Sequence, residues 1–159
     1  DSVRGGAVGP VAVAETLVVV AAMNGTIYGL DRATGNVRWT HNGTGSYEAG
    51  VAVVDNTVVV AGSTGIVEGL ELSSGQQFWR TGPGSSVLER ITVGKDVALV
   101  SVGTLFAFDS QGRLRWQHGG AAYGGPVYST AATYRNNTVY IGSVSPEGPG
   151  AGFYAVKAP

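Results

Sequence analysis

Few side chains in this sequence are able to do chemistry, and their spacing is the first guide to their purpose. His41 and His118 each stand two residues after a tryptophan, Trp39 and Trp116. Imidazoles at matching positions suggest a shared metal ion. The corresponding place after Trp79 holds Thr81, however. Two histidines from non-adjacent segments also cannot meet one ion at the ~2 Å that a zinc–nitrogen bond requires. They read instead as copies of one position. The carboxylates Asp31, Glu71 and Asp109 recur at matched positions too, and a turn shared by the three explains them. No Ser/His/Asp set or carboxylate pair stands at a catalytic spacing. The chain has no Cys, which excludes disulfides, thiolate nucleophiles and Cys-ligated zinc. The expectation is no catalytic residue, no cofactor and no metal site. Three sequons start at Asn24, Asn42 and Asn136. Each falls in a predicted loop, where an exported chain can carry a glycan, although Asn, Gly and Thr are also ordinary turn residues.

The elements that position these residues follow from a repeat, which takes precedence over local propensity. Leu30-Asp31-Arg32-Ala33-Thr34-Gly35-Asn36-Val37-Arg38-Trp39 aligns with Leu70-Glu71-Leu72-Ser73-Ser74-Gly75-Gln76-Gln77-Phe78-Trp79. A third copy, one residue shorter, is Phe108-Asp109-Ser110-Gln111-Gly112-Arg113-Leu114-Arg115-Trp116. The signature is therefore Asp31, Gly35, Trp39; Glu71, Gly75, Trp79; and Asp109, Gly112, Trp116.

Ahead of each signature stands an apolar run, at Thr16-Leu17-Val18-Val19-Val20-Ala21, Thr57-Val58-Val59-Val60-Ala61-Gly62 and Asp96-Val97-Ala98-Leu99-Val100-Ser101. A fourth run, Thr138-Val139-Tyr140-Ile141-Gly142-Ser143, has no signature after it. A shorter apolar element precedes each run, at Pro10-Val11-Ala12-Val13, Gly50-Val51-Ala52-Val53, Arg90-Ile91-Thr92-Val93 and Pro126-Val127-Tyr128-Ser129. Four short strands per unit follow from the β-branched enrichment and the Gly/Asn/Asp punctuation, and nothing reads as a helix.

Asn24-Gly25 is expected to supply positive φ angles to a tight hairpin between the second and third strands. Ser63-Thr64-Gly65 and Val102-Gly103 take the same place. The signature acid should accept backbone N–H bonds while its Gly turns left-handed, and the Trp should pack from the outer strand against a neighbouring unit.

Composition agrees with this reading. Gly at 26 of 159 residues is about twice the common share, while charged residues at 13% are about half of it. Two Lys and eight Arg in a chain of net charge −1 leave no basic surface for nucleic acid. No apolar run nears the ~20 residues of a membrane span, and the start lacks the layout of a signal peptide.

Tandem four-stranded antiparallel units of about forty residues describe an all-β propeller of about four blades. On these residues the units resemble the repeats of pyrroloquinoline quinone (PQQ) family propellers, seen in quinoprotein dehydrogenases and in non-catalytic BamB-type outer-membrane assembly lipoproteins. The resemblance implies one domain over residues 1–159, with units near 8–41, 49–81, 88–118 and 125–157. Family propellers usually have seven or eight blades. Their enzymes need calcium-ligating Glu, Asn and Asp, a catalytic Asp and often adjacent disulfide-bonded cysteines, a set not legible here.

The expected function is a non-catalytic, extracytoplasmic scaffold for protein binding or self-assembly, as a dimer or filament. A ligand-binding sensor fragment of a larger protein, such as a receptor kinase, is second, and a degenerate PQQ-dependent dehydrogenase third. Two features point to where contacts form. Residues 1–7, through a likeness of Ser2-Val3-Arg4 to Asn36-Val37-Arg38, are expected to supply the outer strand the fourth unit lacks. An insertion in that unit, with Ser145, Pro146, Glu147 and Pro149, is a candidate interaction loop.

Overall fold

The computed structural model describes residues 4–6, 9–82, 89–144 and 152–159. Its strands are β1 (Ala12–Val13), β2 (Leu17–Ala21), β3 (Thr26–Asp31), β4 (Val37–Asn42), β5 (Val51–Val54), β6 (Thr57–Ala61), β7 (Val67–Glu71) and β8 (Gln77–Thr81). They continue as β9 (Thr92–Val93), β10 (Ala98–Ser101), β11 (Thr104–Phe108), β12 (Leu114–Gly119), β13 (Thr133–Arg135), β14 (Thr138–Ser143) and β15 (Gly152–Lys157). One short 3-10 turn, Ala121–Tyr123, precedes β13.

All pairings are antiparallel and follow chain order, giving the meanders β1-β2-β3-β4, β5-β6-β7-β8 and β9-β10-β11-β12. The fourth sheet is β13-β14-β15, three-stranded among the described residues. The architecture is a series of propeller blades.

Buried apolar strands explain the stacking. The second strand of each unit is apolar on both faces, so each sheet must be covered twice. One seam joins Val19, Ala21 and Ile27 of the first sheet to Val51, Val58, Val60 and Leu70 of the second. The next joins Ala52, Val54, Val59 and Val67 to Ile91, Ala98, Val100 and Phe108. A third joins Leu99, Leu105 and Ala107 to Tyr128, Val139 and Ile141. Each sheet thus has an entry face toward the preceding unit and an exit face toward the following one.

The structure corrects two local expectations. In the first hairpin φ is positive only at Gly25, 84°, because the turn runs from Ala22 to Gly25, whose N–H donates to the Ala22 carbonyl. Asn24 keeps a negative φ, and its Oδ1 accepts the Thr26 N–H at 3.1 Å.

In the fourth unit the inner ladder is β13, several residues past Pro126-Val127-Tyr128-Ser129. Arg135 pairs with Thr138, leaving Asn136 and Asn137 as a two-residue turn with φ of 50° and 59°. That demand for left-handed φ at both central residues sets the register. The expected segment still runs beside the far end of β14: Tyr128 bridges Ser143 and Gly103, the Ser129 N–H donates to the Gly142 carbonyl and the Val144 N–H to the Val127 carbonyl, and residues 130–132 separate it from the β13 ladder.

Candidate interaction surface

The signature turn is built as its residue types require. Asp31 Oδ1 accepts the N–H groups of Ala33 and Thr34 and the Thr34 hydroxyl, and Arg38 Nε donates to Oδ2 at 3.1 Å. Gly35 takes φ 72° and returns its N–H to the Asp31 carbonyl. The Arg38 guanidinium, with Thr34, holds the Asp31 carboxyl down to about 2. Asp109 repeats the arrangement. Burial pushes its carboxyl up, but the N–H groups of Arg113 and Gln111 and the Arg113 guanidinium outweigh it and leave it lowered. Glu71 uses a hydroxyl instead, accepting from Ser74 Oγ at 2.6 Å. These carboxylates are spent on turns.

Each signature tryptophan reaches the next unit's turn. Trp39 lies against Gly29 of its own sheet and Gly75 of the following one, and its Nε1 donates to the Leu72 carbonyl at 3.0 Å. Trp79 does the same against Gly69 and Gly112, donating to the Ser110 carbonyl at 2.9 Å. Among the described residues Trp116 meets no such turn. It lines a cleft of about 650 Å3 with Lys95, Val97, Arg115, Tyr134 and Pro159.

Beside this cleft the fourth sheet shows its exit face. Three register-equivalent positions on the second strand, Val19, Val59 and Leu99, are fully covered, whereas the fourth, Tyr140, is 50% exposed. On the third strand Ile27, Val67 and Leu105 have zero exposure, and their equivalent Phe153 is 93% exposed. The far edge of β15 has no strand partner among the described residues. Neither Tyr140 nor Phe153 stands out in the sequence, because both occupy ordinary apolar strand positions. Only the packing seen in the structure shows them to be surface.

Of the N-terminal segment, residues 4–6 are described. The Met23 N–H donates to the Gly6 carbonyl, as the Ser63 N–H does to Ser46, and the Tyr28 hydroxyl donates to the Arg4 carbonyl at 3.3 Å. Residues 1–3 and 7, like the loop residues Ser145, Pro146, Glu147 and Pro149, lie outside the described residues.

Polar groups at the seams are structural. The Tyr47 hydroxyl donates to Glu68 Oε2 at 2.5 Å inside the first seam, and Arg80 Nε approaches the other carboxylate oxygen at 4.0 Å. Burial, with the neighbouring carboxylate, pushes the Tyr47 phenol up. His118 Nδ1 meets the Tyr128 hydroxyl at 2.6 Å, and Tyr128 stands edge-on to Tyr154. His41 pairs with Ile27 in the first sheet and His118 with Leu105 in the third, and His41 Nε2 is buried with no hydrogen-bond partner. The two share no site.

The sequons sit at turns or strand ends. Asn24 and Asn136 are exposed turn residues, and Asn42 closes β4. No group of three His, Cys, Asp or Glu able to hold a metal ion occurs among the described residues. Asp31, Asp109 and Glu71 are committed to turns and Glu68 to Tyr47.

The family model described as outer membrane protein assembly factor BamB matches residues 1–81 and 24–147. No curated protein matches the sequence. Among solved structures, BamB from Moraxella catarrhalis is similar at 20% identity and a TM-score of 0.75, over 88% of this chain and 44% of its own. The computationally designed Ika4 protein is similar at 21% identity and a TM-score of 0.80, over 100% of this chain and 95% of its own. Quinohemoprotein alcohol dehydrogenase from Comamonas testosteroni is similar at 17% identity and a TM-score of 0.71, over 87% and 29%. At these identities the likeness is one of fold, and this chain spans less than half the length of the first and third. No helix among the described residues is long and apolar enough to cross a membrane.

Proposed function

The chain belongs to the family of the outer membrane protein assembly factor BamB, and from that membership we propose that it is a non-catalytic β-propeller scaffold that binds protein through its fourth blade. The observation that carries this is the exposed pair Tyr140 and Phe153 beside a β15 edge that has no strand partner among the described residues. An open strand edge templates another strand through its free N–H and C=O groups. Aromatic side chains next to it supply the apolar area that a protein contact needs. The insertion containing Ser145, Pro146, Glu147 and Pro149, between β14 and β15, is a second contact element of the same blade. An extracytoplasmic location fits both the family description and the sequons at Asn24, Asn42 and Asn136, which would be open to glycosylation on a secreted chain.

The seams support the non-catalytic assignment, since Tyr47 is paired with Glu68 and His118 with Tyr128. PQQ and calcium provide the test. Added together, they should give an absorbance spectrum equal to the sum of the components. A saturable spectral shift accompanied by dye reduction with a primary alcohol would overturn the assignment. For binding, amide hydrogen exchange is the readout. The outward N–H groups of β15 should exchange freely in the isolated blade and become protected when the partner strand docks.

A further inference from the structure

The second blade departs from the repeat at one place. Independently of the fourth blade, we propose that this place binds an arginine side chain carried by an extended segment of a partner protein laid along β8.

The other units supply the template. The residue before the signature tryptophan is Arg38 in the first unit and Arg115 in the third. Arg38 Nε donates to Asp31 Oδ2 at 3.1 Å, and Arg115 Nη1 lies 3.5 Å from Asp109 Oδ2. In both units a guanidinium from the outer strand neutralises the signature carboxylate. The second unit has Phe78 at this position. Its carboxylate, Glu71, accepts from the Ser74 hydroxyl and forms no ion pair among the described residues. The cation is missing where the repeat supplies one.

What replaces the arginine is apolar and uncovered. Phe78 is 53% exposed and, with Asn56 and Gln76, flanks Glu71 in a cleft of about 380 Å3. The matching cleft of the first unit is lined by Thr16, Asp31 and Arg38, so there the guanidinium belongs to the chain itself. In the second unit the cleft offers a carboxylate, an exposed phenyl ring and side-chain amides whose oxygens can accept N–H bonds. A guanidinium suits all of these, because it pairs with the carboxylate, stacks on the ring and donates through several N–H groups held in one plane. An ammonium pairs with the carboxylate but lacks the planar fork.

The strand edge beside the cleft decides how the arginine arrives. Among the described residues β8 has a strand neighbour on one side alone, β7, so its outer N–H and C=O groups are open to a further strand. The same holds of β4 and β12. There, however, Arg38 and Arg115 put a cation on the edge, which blunts it and repels a second one. Residues directly opposite one another across a strand pair share a face. An arginine opposite Phe78 therefore stands on the face of the ring, with a side chain long enough to pass it and reach Glu71.

The probe is an acetylated and amidated peptide, Thr-Val-Arg-Val-Thr, and the readout is amide NMR of the isotope-labelled chain. Saturable shifts should centre on β8 and the Glu71 turn. A peptide with citrulline in place of arginine keeps the shape and loses the charge, and should bind about tenfold more weakly. Phe78→Arg returns the chain's own guanidinium to the cleft and should abolish the shifts. Glu71→Gln should weaken binding to the level of the citrulline peptide. Leu114→Ser, at an exposed position of β12, should change nothing. The citrulline peptide needs no altered protein, so that comparison decides if a variant does not fold.

Equal binding of the two peptides overturns the proposal, as does undiminished binding to Phe78→Arg or the absence of any saturable shift. Shifts confined to β15 overturn it too, and leave the fourth blade standing as the protein contact. Arginine-dependent shifts on β8 with none on β15 establish this site whatever the fourth blade binds.

Discussion

Trp39 lies across the α-carbon of Gly75 in the following unit, with its indole N–H bonded to the Leu72 carbonyl. The relationship recurs between Trp79 and Gly112. It explains why Gly and Trp travel together in the signature. The glycine serves two needs, a left-handed turn and a bare surface for the preceding unit's indole.

Gly75→Ala and Gly35→Ala separate these needs. Both glycines have φ near 70°, so each substitution costs about 1 kcal/mol of backbone strain. A methyl at residue 75 overlaps Trp39, while at residue 35 it meets nothing within 4 Å. Gly75→Ala should therefore cost a further 1–3 kcal/mol or so from overpacking. Urea denaturation of the two variants measures the difference, and equal losses would show that the indole yields freely.

Acid should weaken the first turn at a defined place. The Asp31 carboxyl is lowered in the fold to about 2 from an ordinary 3.8. A depressed carboxylate stabilises the fold fully above the unfolded value, and that contribution is lost as pH falls from about 4 to about 2. Asp31→Asn should flatten the stability profile over that window. A carboxyl titration by NMR that finds Asp31 at its ordinary value would contradict the geometry.

Tyr47→Phe should destabilise by about 1–3 kcal/mol, because it strips the hydrogen bond from the buried Glu68 carboxylate. Arg80, at 4.0 Å from the other oxygen, is too distant to replace it. Combining Tyr47→Phe with Glu68→Leu should recover the part of the loss that comes from the orphaned carboxylate, leaving the part from the Thr44 N–H, which donates to the Tyr47 hydroxyl at 3.1 Å. A double-mutant cycle by thermal melting decides, and additive losses would mean that the two do not interact.

At Asn136, glycine should be neutral and valine costly. Its φ of 50° belongs to the left-handed region, where a β-branched residue loses about 1–2 kcal/mol. Chemical denaturation of Asn136→Gly and Asn136→Val checks this. Both variants also remove the third sequon, so an intact mass unchanged beyond the residue substitution shows that the site carries no glycan.

What the sequence determined by itself is whatever the repeat states several times over. Continuous β-branched runs, the carboxylate–Gly turn and the recurring Trp made the strands and the antiparallel blades readable, because each is a local demand of backbone and side chain. Tertiary structure decided the rest. Pro126-Val127-Tyr128-Ser129 reads as one inner strand, but the fold splits that strand along β14, with residues 127–129 beside 142–144 and a separate ladder from Thr133, whose register the paired left-handed asparagines fix. The signature tryptophans sit on their own outer strands in the sequence, but their energetic role lies one unit ahead, in contacts more than thirty residues away. Phe153 looks like the core residue that its equivalents Ile27, Val67 and Leu105 are, and only the tertiary structure shows it 93% exposed, because no described strand packs over that face of the fourth sheet.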